Sequence, residues 1–176
     1  FDDFAEARVV LTSAGAEVHT AAIEVGQGLV TVCQQTVRTV LGVEHVAVMF
    51  DDTSLIGSAG STSASRQTQM TGGAVHDAAV KLRAKILEQH GGDEMRDGAV
   101  YLAGERIAGI DDVVADGAVE QWVQFRHPPT AAPDDKGQGD VHAGFAVAAH
   151  RAVVDVDPEL GLVRVVRVDT AQDVGK

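Results

Sequence analysis

Cysteine is almost absent: Cys33 is the one thiol in 176 residues, which excludes an internal disulfide and any multi-cysteine metal centre. Aromatic residues are scarce at 4%, so a core has to be built from valine, alanine, leucine and isoleucine. Positive charge is short as well. The 14 Lys and Arg stand against 26 Asp and Glu, a net charge of −12, which argues against a nucleic-acid backbone or an anionic membrane surface as partner. No apolar run approaches the roughly 18 residues of a spanning helix, and no signal-peptide pattern opens the sequence. The expected setting is reduced and cytoplasmic.

With 45% hydrophobic and 23% charged residues, the composition is that of a globular protein rather than a disordered one. The chain opens on Phe1 and breaks off after a strand-like run, so it reads as an internal piece of a longer polypeptide, forming a single domain over 1–176.

The hydropathy pattern predicts an α+β fold, a mainly antiparallel sheet packed by two principal helices. Residues 8–25 read as two β runs around Ala14-Gly15, with alternation at Val18, Ala22 and Ile23. From Leu29 to Leu41 apolar residues recur at three- and four-residue spacing and Gly42 ends the run, which predicts a helix. Val46, Val48 and Phe50 alternate as a strand that ends at Asp51-Asp52-Thr53. A second helical stripe runs from Met70 to about Gln89 and closes at Gly91-Gly92. Gly72 and Gly73 weaken it, so they are expected to permit close packing. A hairpin across Ala103-Gly104, a helical turn capped near Asp111 or Asp112 and a strand over 120–126 follow. Next comes an exposed loop at about 127–140. The last third, "FAVAAHRAVVDVD" and "LVRVVRVDTAQDV" around "PELG", predicts an antiparallel hairpin with Gly161 at positive φ.

Most catalytic patterns fail. Seven histidines are present, but none makes an H-x-x-x-H pair on a predicted helix or joins Cys33 at a zinc spacing. His19, His76 and His150 read as packed or surface residues. "GSAGSTSAS" does not spell G-x-S-x-G, and neither a G-x-x-x-x-G-K-[ST] loop nor a G-x-G-x-x-G fingerprint occurs. What recurs is a glycine-rich loop delivering the chain to a helix start, at "VGQGL" and again at "SAGSTSASRQT". Free N–H groups and the positive end of a helix dipole suit an anion there. Gln27, between Gly26 and Gly28, offers a donor and an acceptor; Ser and Thr hydroxyls and Arg66 offer further donors. The plain alternative is that both loops only cap helices, with Ser61, Thr62 or Ser63 as the cap. The second GQG, Gly137 to Gly139, has no apolar pattern before it and reads as linker.

The order "EVGQG", "DDT", "GSTSASRQT…GGAVHDAA" and "HAGFAVAAHRAVVDVDPELGLVRVVRVDTAQDVGK" resembles the molybdenum-cofactor-binding subunit of the xanthine dehydrogenase and aldehyde oxidase family, the molybdenum hydroxylases, over nearly the whole chain. The resemblance implies that Gly26, Gln27 and Gly28 contact molybdopterin and the metal's oxo or sulfido face. It implies that Thr62, Ser63, Ala64, Ser65 and Arg66 cradle the pterin and its phosphate. The metal would be held by the pterin dithiolene, in keeping with the missing Cys and His clusters. It further implies a molybdopterin cofactor, possibly a dinucleotide form, with iron–sulfur and FAD groups on other domains or subunits and the remainder of the molybdenum subunit as partner. The small-molecule substrate would be a purine first, in purine catabolism, with aldehydes, nicotinate-like heterocycles and carbon monoxide open. The glutamate that acts as base is expected downstream of Lys176, Glu24 not being its equivalent, so this piece alone is expected to lack turnover. The competing expectation is a non-catalytic scaffold that makes a subunit contact.

Overall fold

The computed structural model describes residues 3–50, 56–63, 65–142 and 144–173. Two compact units result, Phe1–His127 and Pro128–Lys176. The first begins with β1 (Phe4–Thr12) and β2 (Gly15–Thr20), then α1 (Leu29–Leu41), β3 (Val46–Phe50) and the long α2 (Arg66–His90). A small meander follows, β4 (Glu94–Arg96), β5 (Ala99–Leu102) and β6 (Glu105–Gly109), then one turn of helix α3 (Ile110–Val113) and β7 (Val119–Arg126). The second unit contains β8 (Val147–Asp157) and β9 (Leu162–Asp173).

The main sheet has the order β3-β2-β1-β7. β1 pairs antiparallel with β2 and β7, whereas β2 and β3 run parallel, joined by α1 as a crossover. The fold class is therefore α+β with a mainly antiparallel sheet and two principal helices, as the pattern predicted, with one parallel pair added. Helix α1 faces the core with Leu29, Cys33, Val37 and Leu41, its three- and four-residue stripe. Helix α2 buries Met70, Ala74, Val75, Ala78, Leu82 and Ile86 against the same core, and begins four residues earlier than its apolar stripe predicted because its first turn is polar.

Other departures are local. Val18 and Ala22 are buried but Ile23, past the end of β2, is 61% exposed, and Phe50 ends β3 46% exposed. The Asp51 to Thr53 turn lies outside the described residues. β4 escaped the sequence pattern because three residues cannot show a period; the signal was Asp97-Gly98, both at positive φ (50° and 68°), a tight turn between β4 and β5. Ala103 and Gly104 turn between β5 and β6 the same way (51° and 84°). The Asp112 carboxylate accepts from the Gly109 N–H at 2.8 Å, capping α3. In the second unit, Gly161 takes φ 65° in the hairpin turn, and Asp157 Oδ1 accepts from Glu159 and Leu160 N–H at 3.0 Å each. The 127–140 loop is exposed, and its GQG is folded on Asp134, whose carboxylate accepts from Lys136 and Gln138 N–H.

The glycine pair in α2 divides by role. A Cβ on Gly73 would lie 2.9 Å from the Phe125 ring of β7, so a side chain there forces that ring to shift. A Cβ on Gly72 would meet Val32 at an ordinary 3.6 Å. Relieving a mid-helix glycine is worth about 1 kcal/mol, so Gly72→Ala should stabilise the chain by roughly that amount. Gly73→Ala should fall short of it, because the ring must move. Denaturant unfolding of both variants checks this; equal stabilisation would mean that Phe125 does not constrain Gly73.

Candidate functional site

The register of the sheet decides where the two glycine loops meet. Phe4 at the start of β1 faces Arg126 at the end of β7, Ala7 faces Thr20 at the end of β2, and Thr20 faces Phe50 at the end of β3. The chain therefore leaves β2, β3 and β7 at one edge, the edge where β1 enters. The helices agree. α1 closes on Gly42, whose carbonyl accepts from Gly98 N–H at 2.8 Å, and just past α2 Asp93 N–H donates to Tyr101 O at 2.8 Å. Both helices thus end against the β4–β6 meander, and both start at the opposite pole, where Val32 and Gly72 meet near their beginnings. Two positive dipole ends share that pole.

The first loop is closed on itself. Glu24 reaches forward to the start of α1: its Oε1 accepts from Gly26 N–H at 2.7 Å and Gly28 N–H at 3.1 Å, and its Oε2 from Val30 N–H at 3.0 Å. Two of the four unpaired donors at that helix start are taken by an internal carboxylate. The Val30 N–H above all, with those of Gly28 and Gly26, holds the Glu24 carboxyl below its usual range. Gln27 folds back as well, Oε1 accepting from Val25 N–H at 2.7 Å and Nε2 donating to the Ile23 carbonyl at 2.9 Å. One N–H and one lone pair of its amide remain. Gly26 and Gly28 stand at φ 100° and 82°, and the space a Cβ would fill at either is open.

The second loop is built on Arg66. Its Nε and Nη2 grip both Asp3 oxygens, Nη2 also reaches the Phe4 carbonyl at 3.4 Å, and Nη1 donates to the carbonyls of Ala59 at 2.6 Å and Ser61 at 3.0 Å. These five contacts match the five N–H groups of a guanidinium, so Arg66 is engaged by the protein itself. Gly60, at φ 62°, is required because a Cβ would strike that guanidinium. The Asp3 carboxyl is held below its ordinary value chiefly by Arg66. Gln67, buried, donates to Thr62 Oγ1 at 3.2 Å and Ser61 O at 3.3 Å, and its Oε1 accepts from Thr71. On the loop's other side, Glu6 of β1 accepts from Ser58 N–H at 3.2 Å and Gln124 Nε2 at 2.9 Å.

The two starts therefore differ. The N-cap residue of α2, Ser65, makes no side-chain cap hydrogen bond, and the first turn holds no acidic residue, while among the described residues Ser61, Thr62, Ser63 and Ser65 are exposed around it. Ala64 lies outside the described residues. Of the sequence-predicted residues, Thr62, Ser63 and Ser65 lie exposed just before α2, where the Thr62 hydroxyl accepts from Gln67 and the Ser63 carbonyl accepts from Arg66 N–H at 3.0 Å; Gly26 to Gly28 sit at the helix start capped by Glu24, and Arg66 is engaged by Asp3 and its own loop. Glu24's role was missed, although a carboxylate five residues before a helix start can be read as favourable to its positive dipole end. Among the described residues no group of three or more His, Cys, Asp or Glu could hold a metal. Cys33 points into the core, and burial pushes its thiol up to about 12, with the Glu24 charge adding to the effect.

A carboxyl held low in the folded state contributes stability above its unfolded pKa, near 4.5, and loses it as pH falls through the folded value. Glu24→Gln should therefore destabilise the chain at neutral pH. The gap between wild type and variant should narrow as pH drops below the unfolded value, read from thermal midpoints across that range; a pH-independent gap would deny the carboxylate its capping role.

A family model described as "Molybdopterin cofactor-binding domain" matches residues 1–176. The chain is similar to the 6-hydroxypseudooxynicotine dehydrogenase complex subunit gamma of Paenarthrobacter nicotinovorans, 28% identical over 174 residues, covering 90% of this chain and 21% of that protein. In fold it is similar to quinoline 2-oxidoreductase from Pseudomonas putida 86, with a TM-score of 0.72 and 22% identity over 98% of this chain and 23% of that one. The CO dehydrogenase of Oligotropha carboxidovorans gives a TM-score of 0.72 and 18% identity, with 97% and 22% covered. The chain thus spans about a fifth of the length of these proteins. With the model covering it from end to end, the chain belongs to the molybdopterin cofactor-binding domain family.

Proposed function

We propose that the chain is the cofactor-binding piece of a molybdenum hydroxylase, an oxidoreductase that hydroxylates a nitrogen heterocycle or an aldehyde in the cytoplasm. The observation that carries this reading is the shared pole of α1 and α2, on a chain matched throughout by a molybdopterin-binding model. The donor set at α2 fits a phosphate-bearing pterin: backbone N–H groups and the hydroxyls of Thr62, Ser63 and Ser65, with no competing carboxylate in the first turn. Ala64 is included in that cradle by sequence. Arg66 positions the cradle through its carbonyl contacts and Asp3 rather than by facing the phosphate. Gly26 and Gly28 let the first loop approach the pterin closely, and the remaining N–H of Gln27 supplies a directional contact.

When bound, the cofactor supplies the metal centre at which a water-derived oxygen is transferred and electrons are accepted. This chain's residues hold and orient it. A base is needed to move a proton from the oxygen source, and we assign it to a glutamate outside residues 1–176. Iron–sulfur and FAD groups on other subunits or domains would carry the electrons away. The name of the Paenarthrobacter relative, a subunit of a dehydrogenase complex, supports that division of labour. Purine oxidation was the first expectation; the relatives are named for quinoline, 6-hydroxypseudooxynicotine and CO, so a quinoline-like or pyridine-like substrate stands beside purine.

One observation favours the cap reading for the first loop, namely that Glu24 and Gln27 accept from the loop's own backbone N–H groups at Val25, Gly26 and Val30. Molybdenum per subunit in the complete enzyme separates the two. Ser63→Asp, which puts a like charge at the open helix start, should lower occupancy about ten-fold, the effect of roughly 1–2 kcal/mol. Gln27→Ala should lower occupancy or turnover several-fold. Unchanged values for Ser63→Asp would sink the phosphate cradle, and unchanged values for Gln27→Ala would leave that loop a helix cap alone.

The substrate is read from dye reduction by the full subunit set with hypoxanthine, quinoline, a hydroxypyridine, an aldehyde and CO. We expect a heterocycle to be oxidised fastest. Activity confined to CO would overturn the heterocycle assignment.

A further inference from the structure

The β8–β9 hairpin carries a sorting device that the cofactor reading does not use. Pairing runs from Val147 opposite Asp173 to Val153 opposite Arg167, then resumes at Val154 opposite Val165, leaving Val166 as an extra residue in β9. Strand side chains alternate, so an extra residue switches the parity of everything beyond it. Without the bulge, Val163 and Val165 would share a face with Arg167 and Asp169. With it, Val163, Val165 and Val168 lie on one face, opposite Val156, Val154 and Ala152. The charged residues fall on the other face, where Arg164 pairs with Asp155 at 2.7 Å and Arg167 with Asp169 at 2.7 Å.

The apolar face is exposed: Val156, Val163, Val165 and Val168 are 60%, 63%, 61% and 57% exposed. A two-stranded hairpin is marginal by itself in water, and a continuous strip of valine of this kind marks an interaction surface. Resting on the proposed function, we infer that the valine face of β8–β9 docks on an apolar, uncharged surface of the same molybdenum subunit, in the polypeptide outside residues 1–176. The solved relatives choose this occupant, since they match nearly all of this chain, the hairpin included, yet are more than four times as long. Charge complementarity points the same way. The ion pairs are satisfied within the ribbon's own charged face, so the contact face offers shape and apolar area with no charged anchor for a separate protein.

The test is photo-crosslinking in the complete, molybdenum-loaded enzyme. p-Benzoylphenylalanine in place of Val165 should crosslink to peptides of the same polypeptide outside residues 1–176, several-fold more than the same probe in place of Arg164 on the charged face. Mixing isotopically labelled and unlabelled enzyme separates links within a chain from links between copies. Links to residues 1–127, to a second copy, to another subunit, or none at all would overturn the inference. Hydrogen exchange on the unmodified enzyme gives a second reading independent of the probe: amides of 152–168 should exchange about as slowly as those of β1, and exchange within seconds would refute docking. Molybdenum content of the same preparations reports on the cofactor reading separately.

Discussion

Arg66 joins three pieces of the first unit that the sequence separates. Its guanidinium holds Asp3 and the Phe4 carbonyl at the entry of β1, the carbonyls of Ala59 and Ser61 in the loop, and by its place in the chain the first turn of α2. A planar fork can do this where an ammonium cannot, because two parallel contacts to one carboxylate fix its orientation. With the loop's other side held to Glu6 through Ser58, the start of α2 is set against the edge at which β1 enters. The sheet register then carries the ends of β2, β3 and β7 to the same edge. Everything proposed for the site depends on that placement.

The pole has one helix start capped by a carboxylate and one with no acidic residue in its first turn. At α1 a carboxylate of the chain's own stands where an external anion would, so any ligand there meets glycine backbone and the half-engaged Gln27 amide. At α2 the polar side chains are directed inward or along the loop: Gln67 braces Thr62 and Ser61, and Thr71 braces Gln67. The surrounding hydroxyls stay exposed.

How much was legible follows from what a one-dimensional pattern can hold. The stripe of α1, the glycine that ends it and the β8–β9 turn are local properties, and each was readable at its position. β4 was too short for a period, though Asp97-Gly98 marked its turn. The parallel pairing of β2 with β3 depends on how α1 packs, which hydropathy does not encode. Arg66 was singled out for its charge, but its engagement with Asp3, 63 residues away, is a tertiary fact. The bulge at Val166 is similar: "VRVVRV" reads as one strand, and only the pairing reveals that its valines and arginines have been sorted onto opposite faces.

A chain of net charge −12 in a family that binds a phosphate-bearing cofactor looks contradictory only if anions are bound by net charge. In the proposed reading, attraction at the start of α2 would come from oriented neutral groups, backbone N–H and hydroxyls, acting within a few ångströms along the helix axis. The nearby cation is neutralised by Asp3 and so contributes shape rather than long-range pull. Net negative charge repels polyanions that would approach over a broad surface, and screening limits that repulsion to about 8 Å at physiological salt. In the proposed reading, a small ligand at that helix start would meet a local field of the opposite sign. On the proposed function, selectivity for one compact anion over nucleic acid or an anionic bilayer would follow from that difference in range.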